Sequence, residues 1–176
     1  MEIKYRRDLY KIIDLKLPGA ELGIASGEFS RDILEWGISK LYLVDAWQSL
    51  NQKGDGGYDQ AWHDTNLLKT MDKIVKYRDR AVILRGLTYE MAKHIKDESL
   101  GFVNVDADHS HEGVMRDIEA WFPKLVKGGV MAFHDAENID YGVKSAVNNF
   151  FVPRGIKIHN LPEDKWEDAG VYVIKP

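Results

Sequence analysis

The stretch NVDADHSHEGV (residues 104–114) gathers Asp106, Asp108, His109, His111 and Glu112. A second pair, His134-Asp135, closes the apolar run GGVMAFHD (128–135), and another acid, Asp45, closes LYLVD (41–45). Carboxylates and imidazoles grouped in this way can hold a divalent cation. They can also move a proton near neutral pH, where an imidazole has its reference pKa of about 6.5. A plainer reading stands beside both. Asp108 suits an Asx turn, and His111 with Glu112 suits a helix start, where an acid faces the positive end of the dipole. The glycines of ELGIASGEFS (21–30) carry different chemistry. Gly23 and Gly27 permit positive φ and let a backbone pass close to a ligand. Their spacing is neither the G-x-G-x-x-G of a pyrophosphate turn nor a P-loop, so a tight structural turn is an equal alternative.

What could bring these residues together is an alternation of strands and helices. Tyr5, Leu9, Ile12 and Ile13 predict an amphipathic N-terminal helix within residues 1–17, ended by Pro18-Gly19. Strands are expected at 20–25, 41–45, 81–85, 100–106 and 128–135, with a closing pair at 156–161 and 170–175. Between them, helices are expected at 27–36, around Leu67, Met71, Ile74 and Val75, after a Thr88 cap, along Val114, Ile118, Trp121 and Leu125 with a bend or end near Pro123, and at 141–151. Residues 46–58 hold three glycines and no periodicity, and with the residues to 62 they read as a substrate or cofactor loop.

Alternating elements predict an α/β fold: one domain over 1–176, a Rossmann-like, doubly wound, seven-stranded sheet with helices on both faces. The closing strands are separated by about eight residues, too few for a helical crossover, so they should pair antiparallel at one edge. Ligands of such sheets sit outside the carboxyl ends of the strands. Gly23–Gly27, Asp45, Arg85–Thr88, Asp106–His111 and His134–Asp135 all follow strand ends.

Composition narrows the classes. With 44% hydrophobic and 30% charged residues the chain reads as globular. A net charge of −4 argues against a general nucleic-acid binder. The absence of cysteine excludes disulfides, thiolate zinc sites and a cysteine nucleophile. No apolar run approaches the roughly 20 residues that span a membrane. The charged start MEIKYRRDLYKII is unlike a signal peptide, so a cytoplasmic protein is expected.

AELGIASGEFS followed by LYLVDAW resembles the first two motifs of class I S-adenosylmethionine-dependent methyltransferases. VDADHSHEGVMRDIEAWFPKLVKGGVMAFHDA (105–136) is similar to a small-molecule O-methyltransferase subgroup, the macrocin-type sugar enzymes and, more distantly, cation-dependent catechol and caffeoyl-CoA enzymes. The resemblance implies that Glu21 faces the methionine amino group or its water shell and that Gly23 and Gly27 line the methionine and ribose. Asp45 would bind the ribose hydroxyls, Ala46 or Trp47 would lie near adenine, and Gly86 to Thr88 would flank its edge. Asp106, His134 and Asp135 match the metal positions of the cation-dependent relatives. Histidine replaces an acid there, which points to a softer ion such as Mn²⁺ or Fe²⁺, or to no metal; the cofactors expected from the resemblance are S-adenosylmethionine with Mg²⁺ or Mn²⁺. His109 stands where those relatives keep a lysine near the acceptor, and is the expected general base beside Asp106.

The expected activity is methyl transfer to a hydroxyl of a small molecule. A metal-dependent, hydroxylase-like relative and a non-catalytic nucleotide-binding module are the alternatives. The expected partner is a small-molecule acceptor, planar or apolar in view of Trp47, Tyr58, Trp62 and Tyr141, with neither nucleic acid nor membrane involved. A homodimer is allowed for. His63, His94 and His159 read as isolated surface residues, Arg85 as the partner of a carboxylate, and Lys73, Lys76, Arg78 and Arg80 as a charged helix end.

Overall fold

The computed structural model describes residues 3–50, 58–162 and 169–176. Residues 51–57 of the expected 46–62 loop, and most of the link between the closing strands, lie outside that set. Seven strands, β1 (Gly19–Leu22), β2 (Leu41–Asp45), β3 (Ala81–Arg85), β4 (Leu100–Val105), β5 (Leu125–Phe133), β6 (Ile158–Leu161) and β7 (Gly170–Ile174), form one sheet in the order β3-β2-β1-β4-β5-β7-β6. The first five run parallel, and β7 pairs antiparallel with both β5 and β6. The α/β class, the seven strands and the antiparallel edge pair are those the sequence predicts.

Helices α1 (Glu28–Glu35) and α2 (Gln60–Ile74) cover one face, and α3 (Thr88–Met91), α4 (His111–Trp121) and α5 (Val143–Phe151) the other. Each face has its own core. Leu9, Ile33, Leu34 and Leu43 are buried on the first, and Val103, Ile118, Trp121 and Phe151 on the second. Strands β1 and β4 are buried throughout, as a central parallel sheet requires.

Several local expectations change. The N-terminal helix is a 3₁₀ helix over Arg6–Lys11, started by the Asp8 carboxylate, which accepts from the amides of Lys4 and Tyr5. β1 stops at Leu22 because Gly23 turns to φ +81°, and β5 stops at Phe133, two residues before Asp135 at φ +55°. In α2 the buried face carries His63, Asn66, Thr70 and Ile74, while Met71 and Val75 are exposed. His63 is therefore buried rather than superficial. Thr88 does not cap α3; it is the first helical residue, and its hydroxyl donates to Asp117 Oδ1 at 2.6 Å. Among the described residues Arg85 pairs with no carboxylate, and it donates instead to the carbonyls of Ala46 and Trp47.

Candidate functional site

Register decides which strand ends meet. Gly23 N donates to Val44 O and Asp106 N to Leu22 O, so the ends of β1, β2 and β4 form one ledge. Val105 pairs with Phe133, which sets Asp106 beside His134. The β1 and β4 backbones come so close that a Cβ at Gly23 would stand 2.0 Å from Asp106 O. Only glycine fits there.

Above the ledge lies a cavity of about 550 Å³. Glu21, Gly23, Asp45, Ala46, Gly86, Thr88, Asp106 and His109 line it, eight of the residues singled out in the sequence. Gly27 is placed differently. It holds φ +77° at the start of α1, and a Cβ there would meet Thr70 of α2 at 3.0 Å. Its positive φ serves the packing of the two helices, not the cavity wall. Trp47 also lines the cavity; it is 1% exposed and donates from Nε1 to Ala25 O at 3.1 Å, so it braces the glycine turn.

Asp45 is held by backbone. Oδ2 accepts from Ile24 N at 2.8 Å and Ala25 N at 3.2 Å, and Oδ1 from Trp47 N at 2.6 Å. Three of the carboxylate's roughly four lone-pair sites are thereby taken, which leaves one on Oδ1 for another donor. Glu21 is 2% exposed and accepts from the Ser30 hydroxyl. Burial pushes its carboxyl up to about 8 against the pull of that bond, so it is neutral at pH 7 until a cation approaches.

Asp106, His109, His134 and Asp135 form the second feature. One donor atom from each lies within 4.8 Å of the others. His109 Nε2 is 3.4 Å from Asp106 Oδ1 and 3.3 Å from Asp135 Oδ2. His134 Nδ1 is 3.3 Å from Asp106 Oδ1 and from Asp135 Oδ1. These separations exceed good charge-assisted hydrogen bonds, and the buried His109 Nε2 makes none. Burial alone would lower both histidines, but the two carboxylates outweigh it and raise each to about 9. The same pairing overcomes burial at Asp106, held near 2, and depresses Asp135 further. Two nitrogens and two oxygens converging without satisfying one another suit a divalent cation. Of the four, Asp106 and His109 line the cavity, and Tyr141 stacks on the His109 ring at 4.6 Å. Asp108 Oδ1 accepts from Ser110 N at 2.9 Å in an Asx turn.

Arg6, His63 and Asp117 are among the cavity residues that the sequence does not point to as site residues. Arg6 donates from Nη1 to Asp106 Oδ2 at 3.0 Å and lies 3.9 Å over the Phe29 ring. No local pattern signals a contact across 100 positions. His63 lines the cavity because it lies on the face of α2 that also buries Asn66, Thr70 and Ile74. Asp117 also lines it, and its signal was legible: it interrupts the apolar stripe of Val114, Ile118 and Trp121.

The family described as "Methyltransferase domain" matches residues 20–136. No curated protein matches the chain significantly. Among solved structures, the O-methyltransferase NovP superposes with a TM-score of 0.65 at 18% identity, over 96% of this chain and 77% of that one. An O-methyltransferase from Bacillus cereus, solved with S-adenosylhomocysteine (SAH), gives 0.66 at 15% identity, over 95% and 77%. Spermidine synthase from Thermotoga maritima gives 0.62 at 13% identity, over 98% and 57%. At such identities the superpositions establish the fold, not the acceptor. The match over residues 20–136 settles the family: the chain belongs to the methyltransferase-domain family, of the class I, S-adenosylmethionine-dependent kind.

Proposed function

We propose that the protein transfers a methyl group from S-adenosylmethionine to a hydroxyl of a small molecule, assisted by a divalent cation such as Mn²⁺ or Mg²⁺. The observation that carries this reading is the single cavity joining Gly23, Asp45 and Glu21 to Asp106 and His109. A methyl donor and an acceptor held in one cavity can be aligned for in-line transfer. Asp45, fixed by three amides, presents the remaining lone pair of Oδ1 to a ribose hydroxyl. Gly23 leaves room for the methionine chain. Glu21, neutral until approached, ionises against the methionine ammonium, and Gly86 with Thr88 borders the base.

Asp106, His134 and Asp135 would hold the cation. The bound ion would act as a Lewis acid on the acceptor oxygen and offset the carboxylate charge that keeps His109 protonated. His109, at the cavity wall beneath Tyr141, then accepts the hydroxyl proton through Nε2. The acceptor is a small phenol or sugar hydroxyl whose ring stacks near Tyr141.

The test is calorimetry with SAH, with Mn²⁺ alone and with both, followed by transfer of labelled methyl groups to small phenols and sugars. Affinity for SAH with metal-dependent transfer supports the reading; no SAH binding at any Mn²⁺ concentration removes it. The pairing of His109 and His134 with carboxylates also favours a second reading, a hydroxylase-like relative on the same fold, since two imidazoles and a carboxylate form a donor set for non-haem iron(II). That reading requires Fe²⁺ binding without any SAH binding.

A further inference from the structure

Asp135 turns both carboxylate oxygens on the metal cluster, Oδ1 to His134 Nδ1 and Oδ2 to His109 Nε2, each at 3.3 Å. Asp106 turns only one. Its Oδ1 faces both imidazoles at 3.3–3.4 Å, while Oδ2 accepts from Arg6 Nη1 at 3.0 Å. Arg6 is itself held in place. Its guanidinium lies 3.9 Å over the ring of Phe29, at the start of α1, and the side chain is 12% exposed. The 3₁₀ helix that carries it is anchored by Leu9, fully buried in the core that also holds Phe29. Arg6 Nε is buried and, among the described residues, has no acceptor. An unpaired buried donor destabilises the fold, so an apolar side chain would make a better anchor for the helix alone.

The division of Asp106 sets what the cluster offers an ion. With Oδ2 tied to Arg6, the carboxylates present two oxygens from Asp135 and one from Asp106, beside the two imidazoles. Small divalent ions such as Mg²⁺ and Mn²⁺ are content with about six donors in octahedral array. The larger Ca²⁺ takes roughly six to eight oxygens, and often both oxygens of one carboxylate. We propose that Arg6 is a positioning residue that restricts Asp106 to one donor oxygen, and so selects a small six-coordinate ion over Ca²⁺ at the cluster. This rests on the reading of the cluster as a divalent-cation site. The simpler alternative is that Arg6 only pins the N-terminal helix to the strand ends.

The experiment measures calorimetric Kd values for Mn²⁺ and for Ca²⁺, each added alone to metal-free protein. The wild type should bind Mn²⁺ more tightly than Ca²⁺. Arg6→Met keeps bulk over Phe29 and frees Oδ2, so the ratio of the two Kd values should shift toward Ca²⁺ by about 10-fold, the lower end of the effects of outer-shell partners. Loss of the positive charge acts on both divalent ions alike and cancels in that ratio. Arg6→Lys keeps a donor for Oδ2 and should retain most of the wild-type ratio. A pinning role alone would lower the melting temperature and weaken both ions equally. A ratio unchanged in Arg6→Met therefore overturns the inference, and so does a fall in Arg6→Lys as large as that in Arg6→Met. Should Arg6→Met fail to fold, Arg6→Gln, neutral and too short to reach Oδ2, takes its place. Equal affinities in the wild type overturn the inference and leave the cation site standing. If neither ion binds the wild type, both readings fall.

Discussion

At the end of β2, Asp45 is locked by its own backbone, with amides at 2.6, 2.8 and 3.2 Å. At the ends of β4 and β5, two carboxylates and two imidazoles face each other at 3.3–3.4 Å, and His109 Nε2 has no hydrogen bond. Both regions are acidic and both follow parallel strands, yet they differ in what completes them. The first is preorganised by neutral N–H groups and keeps its shape whatever its occupancy. The second is held by charge, so protons or a cation must balance it. A neutral polyhydroxyl ligand suits the first, and a metal the second.

The strongest way to break this contrast is chelation. EDTA should reduce methyl transfer by about 10³-fold or more, with recovery on adding Mn²⁺, while SAH affinity measured by calorimetry changes little. His109→Ala should lower turnover by roughly 10²-fold in saturating Mn²⁺, the usual range for a general base. Turnover that survives EDTA but not His109→Ala leaves the base and removes the metal.

Gly23→Val joins the two regions in a single lesion. With a Cβ 2.0 Å from Asp106 O and φ at +81°, the strands must part, and a loss of roughly 3 kcal/mol or more is expected in denaturant unfolding. A variant as stable as wild type would show that the β1–β4 approach is loose.

Asp45→Ala separates the regions. It should weaken SAH binding by about 1.5–3 kcal/mol through loss of a charged acceptor, and leave Mn²⁺ affinity unchanged. Equal losses for both ligands would mean that the two sites are one unit.

Titration sharpens the charge argument. In metal-free protein His109 and His134 rise to about 9, so their contribution is full below their unfolded value near 6.5 and is lost as pH climbs through 9. Glu21 at about 8 and Asp117 at about 7 keep protons that the unfolded chain has released, with the same sign. Asp106, near 2, acts oppositely: its contribution is present above about 4 and lost as pH falls through 2. Stability, and with it the melting temperature, should therefore decline from pH 6 to pH 9. Mn²⁺ should flatten that decline, because metal binding displaces the same protons. A metal-free profile that rises with pH removes the cluster's charge balance.

The smallest effect belongs to Gly27→Ala. Strained φ and contact with Thr70 at 3.0 Å should cost about 1 kcal/mol, while SAH affinity is retained. Lost affinity at unchanged stability would return Gly27 to the cofactor site.

The alternation of apolar runs with helical periods determined the order of elements, and the closeness of the last two strands determined the antiparallel edge. Those patterns are local, set by side-chain period and chain reach. They also marked Asp45, Asp106, His134 and Asp135, because a residue that ends a parallel strand lies on the binding edge whatever the details. Tertiary structure alone decided the rest. Of the stripe Leu67, Met71, Ile74 and Val75, Leu67 and Ile74 pack on the core while Met71 and Val75 are exposed, because packing against α1 and the glycine turn buries His63, Asn66 and Thr70. Gly27 had the spacing of a ligand turn, and only the position of Thr70 showed what its positive φ serves. Strand register placed His109 Nε2 between two carboxylates, and the chain path brought Arg6 to Asp106 from 100 residues away. Sequence period reports which way a side chain faces; which atoms it meets depends on non-local packing, where shifts of an ångström decide whether donors pair or stand unsatisfied.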